Sequence, residues 1–385
     1  MLAHDQDCLL VAVLELFDPH NRSDQAGTAL ETLRDLDKDR FARAGFASGL
    51  TATLAGLHNQ AGLDLPPAWR AYAEEQLTAV TARQDHFAHL LPMVLAALDG
   101  AGVPALPVKG AVLATQVWPV AGWRPMSDID VVVAPADRAR AGAALIAAGL
   151  VQTDTSDWED IFLAWGDGRV GRIDGESPDH NGKVELHPGW VERLHNYLVD
   201  DGGLLLGEAR PGRVANEAAL CLSPAALALH VVGHLSATVV RAEVRPLNVV
   251  DAVLCLRRLV PNCAGLDPRE EFAELAGRVD PRLVEPGMWL VQQHRPELVA
   301  GRSTARLSAS ARSRLAGASR AAVLRDPYRR TSLGWRMAFA DTGAQRRAVL
   351  RQWMVPPTAD LRRAGAGGSL RLQWSRLARI TGRVR

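Results

Sequence analysis

The apolar residues of this chain change period at Gly100, and that change restricts the fold to one in which a helical region leads into a sheet. Before it, Leu77, Val80, Phe87, Leu91, Val94 and Leu98 fall on one stripe of 3.6-residue period, as on an amphipathic helix. Pro92 lies inside the stripe, and its missing donor and bulky ring predict a kink or two separate helices. After Gly100 come short apolar runs of β character. These are VPALPVK from Val103, MSDIDVVVA, a helix opened by Pro135 and closed by Gly149, and then LVQTD. DIFLAWGD and GRVGRID add candidate strands, and Asn181-Gly182, a dipeptide suited to a tight hairpin, precedes KVELH. The expected mixed sheet spans about residues 101 to 190.

Helical patterning returns after about Asn216. Ser223-Pro224 supplies an N-cap and a first-turn proline to ALALHVVGHLSATVV, and Pro246 opens a second helix, LNVVDAVLCLRRLV. The architecture read from this order is α+β, a mixed sheet flanked by N- and C-terminal helical regions. Its parts are a helical region over 1–100, a sheet-bearing domain over 101–215, a helical domain over 216–300 and an Arg-rich helical tail over 301–385. At 385 residues, 48% of them hydrophobic and 23% charged, the bulk of the chain can bury a core, which excludes disorder and fibrous classes.

The net charge of +1 hides a division. Residues 301–385 hold nineteen arginines and three aspartates, a charge of +16, so the remainder carries −15. Trp335, Trp353 and Trp374 are interleaved with the arginines, and Pro356-Pro357 with AGAGGS forms a linker before a last basic helix, LRLQWSRLARI. The acidic remainder is the first candidate partner of this stretch and a nucleic-acid backbone the second. Cys8, Cys221, Cys255 and Cys263 show no C-x-x-C spacing, so neither a zinc knuckle nor a secreted disulfide framework is indicated. The N-terminus carries Asp5 and Asp7 where a signal peptide needs positive charge, and no apolar run reaches membrane-spanning length. The expected location is cytoplasmic, with no membrane partner.

The chemistry is concentrated between Lys109 and Val133. Side chains alternate along a strand, so Asp128 and Asp130 project from one face while Ile129, Val131 and Val133 enter the other. Two carboxylates this close repel unless a cation lies between them, and hard oxygen donors suit Mg²⁺; a solvated strand end carries the same pattern. Lys109-Gly110 ends a strand and begins a helix, where backbone N–H groups and an ammonium can meet a phosphate, although a surface lysine would also fit. Arg124 can bind another phosphate oxygen or pair with an acid of its own loop. Glu185, in KVELHPGW, is the candidate third carboxylate. His187 shares its face, and can contact a nucleotide, orient a ligand or serve structure alone.

The order Lys109-Gly110, then R-x-x-x-D-I-D from Arg124 to Asp130, then V-E-L-H from Val184 to His187 resembles the uncharacterised nucleotidyltransferase family, a branch of the polymerase-beta-type nucleotidyltransferase superfamily. The likeness covers about residues 30 to 300. The helices bearing His230, His234 and Asp251 resemble the family's C-terminal helical part. The resemblance implies that Asp128, Asp130 and Glu185 are catalytic and bind Mg²⁺, two ions in all, and that Lys109 and Gly110 belong to the nucleotide-binding element, which Arg124 and His187 would extend. It implies transfer of a nucleoside monophosphate from an NTP, expected to be ATP, to a hydroxyl or similar acceptor. Relatives often occur beside genes for modified peptide natural products, which suggests a peptide or small-molecule acceptor. Gly110-Ala111 stands where the superfamily usually has Gly-Gly or Gly-Ser, and the gap to the aspartates is longer. The alternatives are a nucleic-acid-binding protein and a catalytically inactive adaptor that keeps the fold. A zinc hydrolase is excluded, because His230 and His234 enclose Val-Val-Gly without the glutamate of H-E-x-x-H.

Overall fold

The computed structural model describes residues 2–17, 31, 36–61, 65–164, 182–194, 197–214, 216–259, 267–299, 306–324 and 333–354. The candidate strand GRVGRID, Cys263, the Pro356-Pro357 linker and the last basic helix lie outside them.

Helices α1 (Leu2–Leu16), α2 (Lys38–Ser48), α3 (Thr51–Ala61) and α4 (Pro67–Gly100) form the N-terminal region. Pro92 lies within α4 and does not divide it, so of the two expectations, a kink or two separate helices, the second does not hold. Packing accounts for this: Phe87, Leu90 and Leu91 before the proline, and Val94, Leu95 and Leu98 after it, are all buried in one core, and their burial offsets the lost hydrogen bond.

The sheet follows as β1 (Leu106–Val108), β2 (Asp128–Val133), β3 (Leu150–Thr155), β4 (Asp160–Ala164) and β5 (Lys183–Pro188), with helix α5 (Arg138–Ala147) between β2 and β3. Its strand order is β1-β2-β5-β4-β3. The β2/β5 pair is parallel and the other three are antiparallel, so the fold is α+β with a mixed sheet. Ile129, Val131 and Val133 of β2 and Val184 and Leu186 of β5 pack against α4 and α5, as the alternation predicts. Gly182, at φ +70°, takes the left-handed turn conformation just ahead of β5.

Two hairpins, β6 (Val191–Leu194) with β7 (Tyr197–Asp200) and β8 (Arg210–Val214) with β9 (Glu217–Cys221), lead to the C-terminal helices. These are α6 (Pro224–Arg241), α7 (Pro246–Arg257), α8 (Pro268–Arg278) and α9 (Glu285–His294). Ser223 caps α6 by accepting from the Ala226 N–H. Gly233 on α6 lets the Trp190 indole lie against the helix, since a Cβ there would fall 2.1 Å from the ring.

The described part of the basic stretch packs on this body. Leu324 bridges to Val244, Arg320 pairs with Asp7 at 2.8 Å, and the Tyr197 hydroxyl donates to the Phe339 carbonyl at 2.6 Å. Among the described residues no helix is long and apolar enough to cross a membrane.

Candidate active site

The parallel register of β2 and β5 sets Asp128 beside Lys183, Asp130 beside Glu185 and Val132 beside His187. All six share one face, because alternation holds the intervening residues against α4 and α5. Three of the predicted site residues, Asp128, Asp130 and Glu185, are thus brought together with His187. Lys109 joins them from the end of β1, whose Val108 pairs with Asp130.

Asp130 is the hub. Its Oδ1 receives the Lys109 ammonium at 2.6 Å and faces the His187 Nε2 at 2.9 Å, and the residue is 2% exposed. Burial would raise its pKa, but Lys109 and His187 hold the carboxyl well below the usual range. The His187 Nδ1 lies 3.3 Å from the Trp158 carbonyl. Burial would make that imidazole less basic, yet its bonds to Asp130 and Glu185 raise its pKa to about 9.

Lys183 bridges the other two carboxylates. Its Nζ lies 2.9 Å from Asp128 Oδ2 and 2.5 Å from Glu185 Oε1. Asp128 is pushed upward by burial and by the charges of Asp130 and Glu185, which Lys183 and Lys109 offset only in part. Glu185 is lowered: burial opposes ionisation, but hydrogen bonding to His187 and the two lysines outweigh it. Among the described residues, Asp130, Glu185 and His187 can offer ligand atoms within 4.8 Å of one another. Asp128 stands outside that group, with Lys183 against its carboxylate.

Lys109 has φ 49° and ψ −124°, a conformation that side chains rarely adopt, and such strain costs roughly 1–3 kcal/mol. It begins the short helix Gly110–Val112, which continues as a π-helix over Leu113–Val117. A Cβ on Gly110 would lie 3.1 Å from both Arg124 Nη1 and Met126 Cβ, so glycine here admits the arginine. Arg124 pairs with an acid outside its own loop. Its guanidinium forks onto Asp251 of α7 at 2.9 and 2.8 Å, and the Trp118 indole N–H donates to the same carboxylate at 2.7 Å. This clamp fixes the loop after the Lys109-Gly110 element to the C-terminal helices.

Sequence reasoning assigned no role to Lys183, although its signal was present: it is one of three lysines in the chain and stands two residues before Glu185 on one strand. It also missed Glu192, a buried carboxylate on β6. Burial would raise the pKa of Glu192, but His234, 3.3 Å away, together with Lys109 and Arg241, holds it low.

A family model described as uncharacterised nucleotidyltransferase matches residues 34–276. No curated protein is significantly similar to the chain. A solved structure, that of the antibiotic-resistance factor ANT(2'')-Ia, is similar at 17% identity over 50% of this chain and 91% of its own, with a TM-score of 0.33.

Proposed function

Because the chain belongs to the uncharacterised nucleotidyltransferase family and is a nucleotidyltransferase, we propose that it transfers a nucleoside monophosphate from an NTP to a hydroxyl-bearing acceptor in a Mg²⁺-dependent reaction at the β2/β5 face. The carrying observation is the convergence of Asp128, Asp130 and Glu185 on one face of a parallel strand pair, with Lys109 against Asp130.

The donor set fits a divalent cation. It offers hard oxygens on adjacent strands, and Asp128 holds repulsion that a cation would relieve. Asp130 and Glu185, whose ligand atoms cluster with that of His187, would hold the metal, and Asp128 would join them in place of its contact with Lys183. When bound it would supply charge neutralisation for the triphosphate and a lowered pKa for the acceptor hydroxyl.

The remaining tasks belong to the protein's own groups. Lys109 and the protonated His187 present positive charge to the phosphate oxygens. Lys183 bridges Asp128 and Glu185 and compensates their charges before substrate arrives. The acceptor oxygen attacks the α-phosphorus, the bond to the bridging oxygen breaks, and its electron pair leaves with pyrophosphate. Glu185, ionised at neutral pH, accepts the acceptor's proton. Gly110 and Arg124 shape the loop beside the phosphates, Arg124 through its anchor on Asp251. Incubating the protein with labelled NTPs, Mg²⁺ and a metabolite extract tests the reading; a labelled acceptor and pyrophosphate are the expected products.

One observation favours a second reading, a catalytically inactive adaptor: the Lys183 ammonium already bridges Asp128 and Glu185, the position a cation would take. Calorimetry with Mg²⁺ separates the two, since the adaptor binds none.

A further inference from the structure

A cavity of about 270 Å³ opens beside the carboxylate cluster, and its lining includes two chemically different groups of residues besides the charged rim of Glu159, Arg241 and Glu243. Lys109 and His187 form one; both reach Asp130. Trp190, Glu192 and His230 form the other, joined by a Trp190 indole N–H donated to Glu192 at 3.3 Å and an edge-to-face contact between Trp190 and His230 at 5.2 Å. Trp158 adds a further aromatic wall, with the Arg193 guanidinium 5.4 Å from its ring centre.

His230 is the anomaly in this wall. It is 1% exposed, and neither ring nitrogen has a hydrogen-bond partner among the described residues. A buried polar group without a partner costs roughly 1–3 kcal/mol. Such a group calls for an explanation, and a ligand is one when the group lines a cavity. Burial lowers the pKa of this imidazole to about 3, so it is neutral, with one nitrogen to donate and one to accept. The surroundings are built to hold it: Gly233, three residues on, is the glycine that admits the Trp190 ring.

A nucleotide has the same division as the cavity, anionic phosphates joined to a flat, neutral, hydrogen-bonding base. Lys109 and His187 suit the first. The indoles suit the faces of the base, His230 suits its edge, and the ionised Glu192 accepts from N–H groups while repelling phosphate. The volume, just below the roughly 300–1,000 Å³ typical of small-molecule sites, accommodates a nucleoside better than a larger ligand. Resting on the nucleotidyl-transfer reading above, we infer that this cavity is the nucleobase subsite, with Trp190 as a wall and His230 and Glu192 reading the polar edge of the base.

The test is calorimetric titration of the full chain, in Mg²⁺, with ATP, GTP, CTP and UTP separately and with inorganic triphosphate. At least one nucleotide should bind the wild type about tenfold or more tightly than triphosphate. His230→Phe should bring that nucleotide to within roughly threefold of triphosphate while triphosphate affinity stays at the wild-type value, which also reports a folded site. His230→Gln, which keeps a donor and an acceptor, should recover part of the loss, and Glu192→Gln should change the order among the four nucleotides. Unchanged nucleotide affinities in His230→Phe and Glu192→Gln would overturn the subsite. So would equal losses for nucleotide and triphosphate, which indicate a structural role. Absence of any binding to the wild type would instead overturn the nucleotidyl-transfer reading itself.

Discussion

Asp130 on β2 and Glu185 on β5 are register partners across a parallel strand pair, and the His187 imidazole reaches both carboxylates. The three aspartate and glutamate positions therefore differ in what holds them, and their variants should differ in stability even where they agree in activity.

Asp130→Asn leaves Lys109 and His187 without their common counter-charge in a buried setting. The expected destabilisation is about 3 kcal/mol, at the low end for breaking a buried pair, since Lys109 is 24% exposed. Asp128→Asn removes a carboxylate whose charge is disfavoured, so the metal-free protein should be unchanged or stabilised by up to about 1 kcal/mol. Both should lose nucleotidyl transfer by orders of magnitude. Chemical denaturation beside an activity assay checks the contrast in sign.

Two buried histidines set the acid limit. His230 and His294 have pKa values lowered to about 3, in each case chiefly by burial. Above the unfolded value of about 6.5 both states are neutral and nothing is lost. Below it the unfolded chain takes up protons that the folded protein refuses, so stability falls as pH drops from about 6.5 toward 3, by about 1.4 kcal/mol per pH unit for each histidine. Denaturation at about pH 7.5 and about pH 5.5 measures the slope, which should shrink in His294→Leu.

The Arg124–Asp251 clamp is expected to be structural. Asp251→Asn removes the counter-charge of a buried guanidinium and leaves one accepting oxygen where Arg124 and the Trp118 indole now use two, so it should cost about 3 kcal/mol. A double-mutant cycle with Arg124→Met should show that most of this loss is coupling between the two residues. Additive effects would return Arg124 to a direct role with phosphate.

Gly233→Ala should displace the Trp190 indole, because the new Cβ would sit 2.1 Å from the ring. A loss of about 1–3 kcal/mol, as for other overpacked sites, together with a shift in tryptophan emission, is the expected outcome.

What could be read from sequence follows the range of the interactions. The alternation of Asp128-Ile129-Asp130-Val131 exposed the acid face of β2, and Ser223-Pro224 marked the start of α6, because both signals are local. The parallel pairing that sets Glu185 beside Asp130 depends on a crossover through α5, β3 and β4, so residue types alone gave Glu185 only as a candidate. Arg124 finds its acid 127 residues away, which no loop-level reading reaches. At Pro92 the local rule left a kink and a split both open, and burial on both sides of the proline keeps the helix in one piece. Lys183 was visible as a rare lysine, but its bridging position needed the register.

Nucleotidyl transfer is measured with each of the four nucleoside triphosphates labelled at the α-phosphate, and in parallel at the γ-phosphate, with Mg²⁺ and a metabolite extract. For at least one nucleotide the α-label should move to an acceptor while the γ-label appears in pyrophosphate. Asp130→Asn and Glu185→Gln should abolish both signals while remaining folded by circular dichroism. Transfer of the α-label at the wild-type rate in the Glu185→Gln protein, or γ-label on the acceptor, would contradict the nucleotidyl-transfer reading.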